Sequence, residues 1–511
     1  MRHSKKLYSA LTLILAITLP APAACGSGHR EAVPNYPDPE TYEITQSQTP
    51  EPEAHTPSMP EEQEQEDPER EEPETPGITP PPFPQNAKMI SSGAAALMHD
   101  GSLWQWSGGH EWDAAAGEWA IPEEHLSPTF VMGNVAFVAW PLAIAEDGVL
   151  WKFRHNQPPV PMLENVVYAA ASPERANSHA VYGTRFYAIT ADGGLWGWRL
   201  YGCWTPDIPG FLGSGTAEHP NLTHGDAITQ EQFSPMHIMD NAASVKPTDS
   251  GAYVITRDHE LWGWGSNWFG QLGGGTTDPI PTPVKIKEQV AFVHATGHRA
   301  PLAITTSGQL WSIGQEHELL MENVTYAHGS QDTAIFAIDN NRTLWAWGRQ
   351  ALICEYTARQ AGVLLGDGTL EDRAQPVKIL DDVVYFTTAL YAAFAITTGG
   401  TLWAWGPNST GELGDGTIWY DSGHPWVWGG WGDGLYDFEN TGEPRLSPVR
   451  ILDNVVSIAH SYASDHGWVG HINTFALTEC GAVWAWGSGG GMLGDGTTQR
   501  RFYPVRIISG E

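Results

Sequence analysis

The stretch FAITTGGTLWAWG, Phe394 to Gly406, reads as two short strands around a tight turn. Apolar residues alternate in FAIT, a Gly-Gly pair follows, and alternation resumes in LWAW, which is the pattern of a β-hairpin. A period of two places Trp403 and Trp405 on one face of the second strand and Leu402 and Ala404 on the other. Both faces are apolar, so both must be covered, as happens when sheets stack radially around an axis.

The same words recur seven more times, ending at Trp106, Phe153, Trp198, Trp264, Ile313, Trp347 and Trp486. The first Trp of each copy, from Trp104 to Trp484, returns roughly every 54 residues, the period of a repeat architecture. The residue between the two aromatic positions is usually Gly or Ala, small enough to let a facing sheet approach closely. Before each hairpin stands a strand such as Asp382 to Phe386 or Asn454 to Ile458. After it come a loop and a closing strand headed by proline, as at Pro283, Pro376 and Pro448. Proline at the head of the last strand fits an edge position, where no neighbour needs its missing N–H. Four short strands make one blade, and residues 86–511 are predicted to be an all-β propeller of eight such units.

Three longer words, WGSNWFGQLGGGTTDPIPTPVKI from Trp264, WGPNSTGELGDGT from Trp405 and WGSGGGMLGDGTTQRRFYPVRI from Trp486, resemble the regulator of chromosome condensation (RCC1) repeat. The resemblance implies RCC1-like four-stranded blades. That family is usually seven-bladed, so seven blades is the alternative to the eight units counted. Units two and five lack the Leu-Gly-Asp-Gly-Thr segment and run straight to the closing strand. Asp367, Asp415 and Asp495 in that segment lack the alternating acidic spacing of a calcium loop and read as braces of a Gly-rich turn. The resemblance also implies, as a third functional reading, exchange of nucleotide on a small GTPase.

Residues 1–24 have the layout of an export signal: Arg2, Lys5 and Lys6, an apolar run from Leu7 to Leu19, then Ala21, Ala23 and Ala24. Cys25-Gly26-Ser27 then resembles a lipobox, which implies lipidation of Cys25, although Pro22 stands where that motif has Leu. Simple cleavage after Ala23 is the other route, and both lead out of the cytoplasm. Residues 25–85 are rich in Pro and Glu and poor in large apolar side chains, so they are expected to stay disordered as an acidic tether. Fully extended in polyproline form it would reach roughly 190 Å. With Cys25 lipidated, Cys203, Cys354 and Cys480 permit one disulfide and leave one thiol.

The net charge of −33 and the lack of a basic stripe argue against a nucleic-acid partner. No metalloprotease, nucleophile-elbow or phosphate-loop motif is present, so neither an enzyme nor a cofactor is expected. His460, His466 and His471 share one region, but the expected reading there is no metal site. Insertions at Arg199 to Ser234, Arg349 to Leu364 and Ile418 to Leu446 lie between third and fourth strands, which predicts that they emerge on one face of the ring. In the last of these, Trp419, Tyr420, Trp426, Trp428, Trp431 and Tyr436 alternate with Gly and with Asp421, Asp433 and Asp437. Such aromatics anchor a protein partner or stack on sugar rings, or else pack together as a cap over the channel. The leading expectation is an exported, lipid-anchored binding protein for a protein partner at the cell envelope. A polysaccharide-binding or sugar-processing propeller is the alternative.

Overall fold

The computed structural model describes residues from 87 to 510, apart from 107–110, 114–117, 121–125, 173–184, 200–211, 214–234, 351–363, 419–442, 464–470 and several shorter gaps. The export signal, Cys25 and the tether lie outside the described residues. Eight antiparallel four-stranded sheets fill the described chain, with one added hairpin, Glu111–Asp113 paired to Glu118–Ala120. Each sheet is one blade made from one continuous stretch of chain, its strands in sequence order. In blade seven they are Val383–Ala389, Ala392–Thr397, Leu402–Gly406 and Arg445–Leu452. No helix occurs among the described residues.

First strands of neighbouring blades meet one another, while fourth strands show mostly half-buried and exposed residues. The first strand therefore lines the axis and the fourth forms the rim. Every first strand carries a one-residue bulge between its first and third positions, as at Val383/Tyr385. A bulge sharpens local twist, which suits a strand wrapped about an axis. The closing prolines sit inside the fourth strands rather than at their heads: Pro448 is within Arg445–Leu452, where the register slips between Ala404 and Gly406. A bulge on a rim strand tolerates the missing N–H for the same reason an edge does. Asp382 and Asn454 fall before their first strands and not within them, with φ of 57° each.

The core is eight apolar layers, one at each junction between blades. Between blades six and seven, Leu344 and Ala346 face Trp405; between seven and eight, Leu402 and Ala404 face Trp486. The large ring of one blade thus meets the small residue of the next, and Ala346, Ala404, Trp405 and Trp486 are buried. Ring closure uses the same layer: Phe475, Ala485, Ile507 and Ile508 of blade eight pack with Ala87, Ile90 and Trp106 of blade one.

One backbone hydrogen bond also repeats at all eight junctions. The N–H that opens each first strand donates to a carbonyl in the hairpin turn of the preceding blade, for example Val455 to Gly400 at 2.7 Å and Val383 to Arg342 at 2.8 Å. Blade one obeys it too, with Ala87 donating to Gly481 of blade eight at 2.8 Å. The final strand, Arg501–Ile508, is hydrogen-bonded to Val483–Gly487 of its own blade and touches blade one only through side chains. Among the described residues no strand is exchanged to close the ring.

The two faces differ. On one, second and third strands are joined by four-residue turns, and two residues join each blade to the next, as Asp381 and Asp382 do. Those links work because the residue before seven of the first strands adopts a left-handed φ: Asn134, Asn165, Asn241, Gln289, Asn323, Asp382 and Asn454. The other face carries connections of very different length, from the link between Arg154 and Gln157 to that between Gly406 and Arg445.

Candidate functional site

All connections between third and fourth strands leave from the variable face, as their position in each unit predicts, and so do those between first and second strands. The Leu-Gly pairs of these loops reach across to the next blade. Leu413 is buried, and a Cβ on Gly414 (φ 78°) would lie 2.6 Å from Nε1 of Trp486 in blade eight. Gly366 meets Trp405 in the same way at 2.7 Å, Gly213 meets Trp264 at 2.7 Å, and Gly494 meets Trp106 at 2.8 Å. The indole N–H groups of Trp405 and Trp486 donate to backbone oxygens of Leu364 and Glu412 at 3.0 and 2.8 Å.

The acidic residue of the loop is a brace. Asp415 accepts from the Thr417 amide and hydroxyl and from Asn408 Nδ2 through Oδ1, at 3.0, 2.8 and 2.9 Å. Its Oδ2 accepts from Nε of Arg445 at 2.5 Å. Asp367 pairs with Arg373 and Asp495 with Arg501 in the same geometry, at 2.5 and 2.6 Å. The three aspartate side chains are only 7%, 6% and 7% exposed, so Thr and Arg already occupy the oxygens a cation would need. Burial pushes the Asp367 carboxyl up, but the bonds from Arg373 and Thr369 outweigh it and the net shift is downward.

The arginine was missed in the sequence. Its signal is faint, because Arg501 stands six residues after Asp495 whereas Arg445 stands thirty after Asp415, across the insertion. The pairing means that both ends of the blade-seven insertion are clamped at one point on the variable face. Trp419, Tyr420, Trp426, Trp428, Trp431 and Tyr436 themselves lie outside the described residues. Trp268, in the blade-four loop, was not singled out from sequence and is 56% exposed on that same face.

His460 is in the first strand of blade eight, buried against the ring of Phe394 at 4.8 Å with Nδ1 3.3 Å from Thr474 Oγ1. Burial lowers its pKa to about 3. His466 lies outside the described residues, and among the described residues no group of His, Cys, Asp and Glu is arranged to hold a metal. Cys480 is a half-buried thiol 3.5 Å from the Thr478 hydroxyl; Cys203 and Cys354 lie outside the described residues.

Eight four-stranded blades around an axis define a β-propeller. Residues 258–299, which run from the hairpin turn of blade four through its third and fourth strands to just past the first strand of blade five, match the regulator of chromosome condensation (RCC1) repeat, the repeat that the recurring words resemble. The chain is 24% identical over 351 residues to the ultraviolet-B receptor UVR8 of Arabidopsis thaliana, covering 57% of this chain and 76% of that one. It is 27% identical over 281 residues to the mitochondrial RCC1 domain-containing protein RUG3 of the same plant, covering 50% and 55%. Among solved structures it is similar to yeast RCC1 (Prp20) bound to Kap60, at 16% identity and TM-score 0.43 over 64% of this chain and 74% of that one. Human WBSCR16 aligns with 15% identity and TM-score 0.43, over 70% and 90%. The described residues thus form a β-propeller with a stretch similar to the RCC1 repeat.

Proposed function

We propose that this propeller is an outward-facing binding protein of the cell envelope, lipid-anchored through Cys25, which presents its variable face to a protein partner and catalyses nothing itself. The observation that supports it most is the asymmetry of the ring. One face is held to four-residue and two-residue turns in every blade, while the other carries all the long loops, with the largest clamped at its base by Asp415 and Arg445. A rigid scaffold with length variation confined to one side is how propellers present a binding surface.

Replacing Trp419 to Pro444 by a short Gly-Ser link tests the site. Blades two and five make the same connection with two or three residues, and shortening a surface loop changes closure entropy by only about 0.6 kcal/mol per halving. The ring should keep its melting temperature while partner recovery from envelope extracts collapses, since a central interface Trp contributes about 2 kcal/mol or more. A lowered melting temperature with unchanged recovery means that the aromatics cap the channel. Binding on a glycan array with no recovered protein puts the polysaccharide reading first. For the anchor, Cys25→Ala should move the protein from the membrane to the soluble fraction; a wild-type chain that is already soluble and starts at Ala24 removes that part of the proposal.

A further inference from the structure

The axial channel holds a set of side chains that the loops do not account for. The fifth residue of the first strand is Lys246 in blade four, His294 in blade five and His328 in blade six, within Ala242–Thr248, Val290–His294 and Val324–Gly329. First strands start from the tight turns, so their fifth positions lie toward the variable face. The ammonium and the two imidazoles therefore form an arc near that mouth of the channel.

The imidazoles of His294 and His328 are 4.2 Å apart between centroids and tilted by 42°. Nε2 of His294 is 3.1 Å from the carbonyl of Gly329, so it carries the hydrogen and donates it. Nε2 of His328 lies 2.9 Å from the Thr388 hydroxyl. Among the described residues neither Nδ1 has a partner, and neither belongs to the buried polar atoms left unpaired, so both are reached by solvent. Lys246 makes no ion pair among the described residues. It is solvent-exposed, yet protein encloses it closely enough to lower its ammonium pKa, as for a group standing in a channel rather than on an outer surface. Burial and then the Lys246 charge lower His294 to about 3, and burial, His294 and Lys246 hold His328 well below the usual range. Among the described residues no carboxylate bears on either ring, inside a chain whose net charge is −33.

Two residues earlier on the same strands is an aromatic belt. Phe292 and Tyr326 stand 5.3 Å apart and Tyr326 and Tyr385 6.1 Å apart, all three half-buried. Residues two apart on a strand share a side, so belt and arc face the same space.

We propose that Lys246, together with the Nδ1–H of a His328 whose Nε2 accepts from the Thr388 hydroxyl, forms an anion site at the variable-face mouth of the channel beside the neutral ring of His294, which takes a carboxylate borne on a flat apolar body, with the body lying on the rings of Phe292, Tyr326 and Tyr385. An unpaired ammonium in a confined space gains most from a bound anion, and a flat body gains from offset or edge contacts with the belt. The site stands independently of any partner held by the loops.

Isothermal titration of the full chain with benzoate, benzamide, acetate and inorganic phosphate tests it. Benzoate should bind saturably and at least about tenfold more tightly than neutral benzamide or acetate, since hydrogen bonds to charged groups are the strong ones. Lys246→Met keeps the exposed stem and should fold as wild type while weakening benzoate about tenfold; His328→Gln, which still reaches Thr388, should weaken it less. Absence of saturable benzoate binding, equal affinity for benzamide, or unchanged affinity in Lys246→Met overturns the site. Phosphate binding as tightly as benzoate overturns the aromatic half of the proposal.

Discussion

The junction between blades seven and eight and that between blades two and three are built from the same sheets but finished differently. At the first, the loop of blade seven crosses over: Gly414 lies on Trp486, and the indole N–H donates to Glu412 at 2.8 Å. At the second, blade two has no such loop, and Nε1 of Trp198 is buried without a partner among the described residues. Trp198 is nevertheless 2% exposed and stacks on Phe186 at 5.7 Å. Sheet-to-sheet packing therefore makes every junction, and the Leu-Gly loop is a lock added to some of them. An unpaired buried N–H costs about 1–3 kcal/mol, which the ring tolerates at Trp198 and also at Trp106, where Gly494 lies on the ring but Nε1 has no partner among the described residues.

The largest expected effect breaks a lock. Gly414→Ala forces a side chain onto a left-handed φ and into Trp486, and should destabilise by about 3 kcal/mol from strain and overpacking together. Gly275→Ala has a similar φ of 73° and open space around it, so it should lose only about 1–2 kcal/mol. Denaturant midpoints of the two variants make the comparison, and equal losses would show that the contact with Trp486 contributes nothing.

Acid should loosen the seven–eight junction next. His460 has a folded pKa of about 3 against about 6.5 when unfolded, so the unfolded chain binds the proton first. Its contribution is complete above about pH 6.5 and is lost as pH falls toward 3, by about 1.4 kcal/mol per pH unit within that window. His460→Phe should flatten the fall in melting temperature between pH 6.5 and 4.5. A pH profile identical to wild type would mean that His460 stays accessible to protons in the folded ring.

A finer comparison sets Trp405→Phe against Trp198→Phe. Both remove similar volume, but only the first strands a buried acceptor, the Leu364 carbonyl. The first should cost about 1–3 kcal/mol more, read as the difference between two melting curves. Equal costs would reduce the indole bond to ornament.

The smallest effect concerns the hairpin turns. Six of eight place Gly at the left-handed position, from Gly101 to Gly481, but blades four and six have His259 (φ 62°) and Arg342 (φ 63°) there. Replacing either by Gly should stabilise by about 0.5–1 kcal/mol, the relief of left-handed strain less the extra unfolded-state entropy of Gly. A loss of stability would point to a contact of the replaced side chain outside the turn.

The sequence alone carried the architecture. LWAW repeated around Gly turns dictates hairpins that are apolar on both faces, and eight such hairpins can be covered only by one another. The alternation of Trp with Ala likewise foretold the large-against-small layers, because period-two geometry is local. The choice between seven and eight blades needed the structure, since closure depends on Ala87 meeting Gly481, residues at opposite ends of the repeat region. The same holds for Asp415 with Arg445, and for Lys246, His294 and His328, which are scattered through three units and gathered only by the curvature of the ring. Local patterns are written in neighbouring residues and can be read there. Contacts between distant residues are set by how many blades fit around the axis, and only the closed ring decides that.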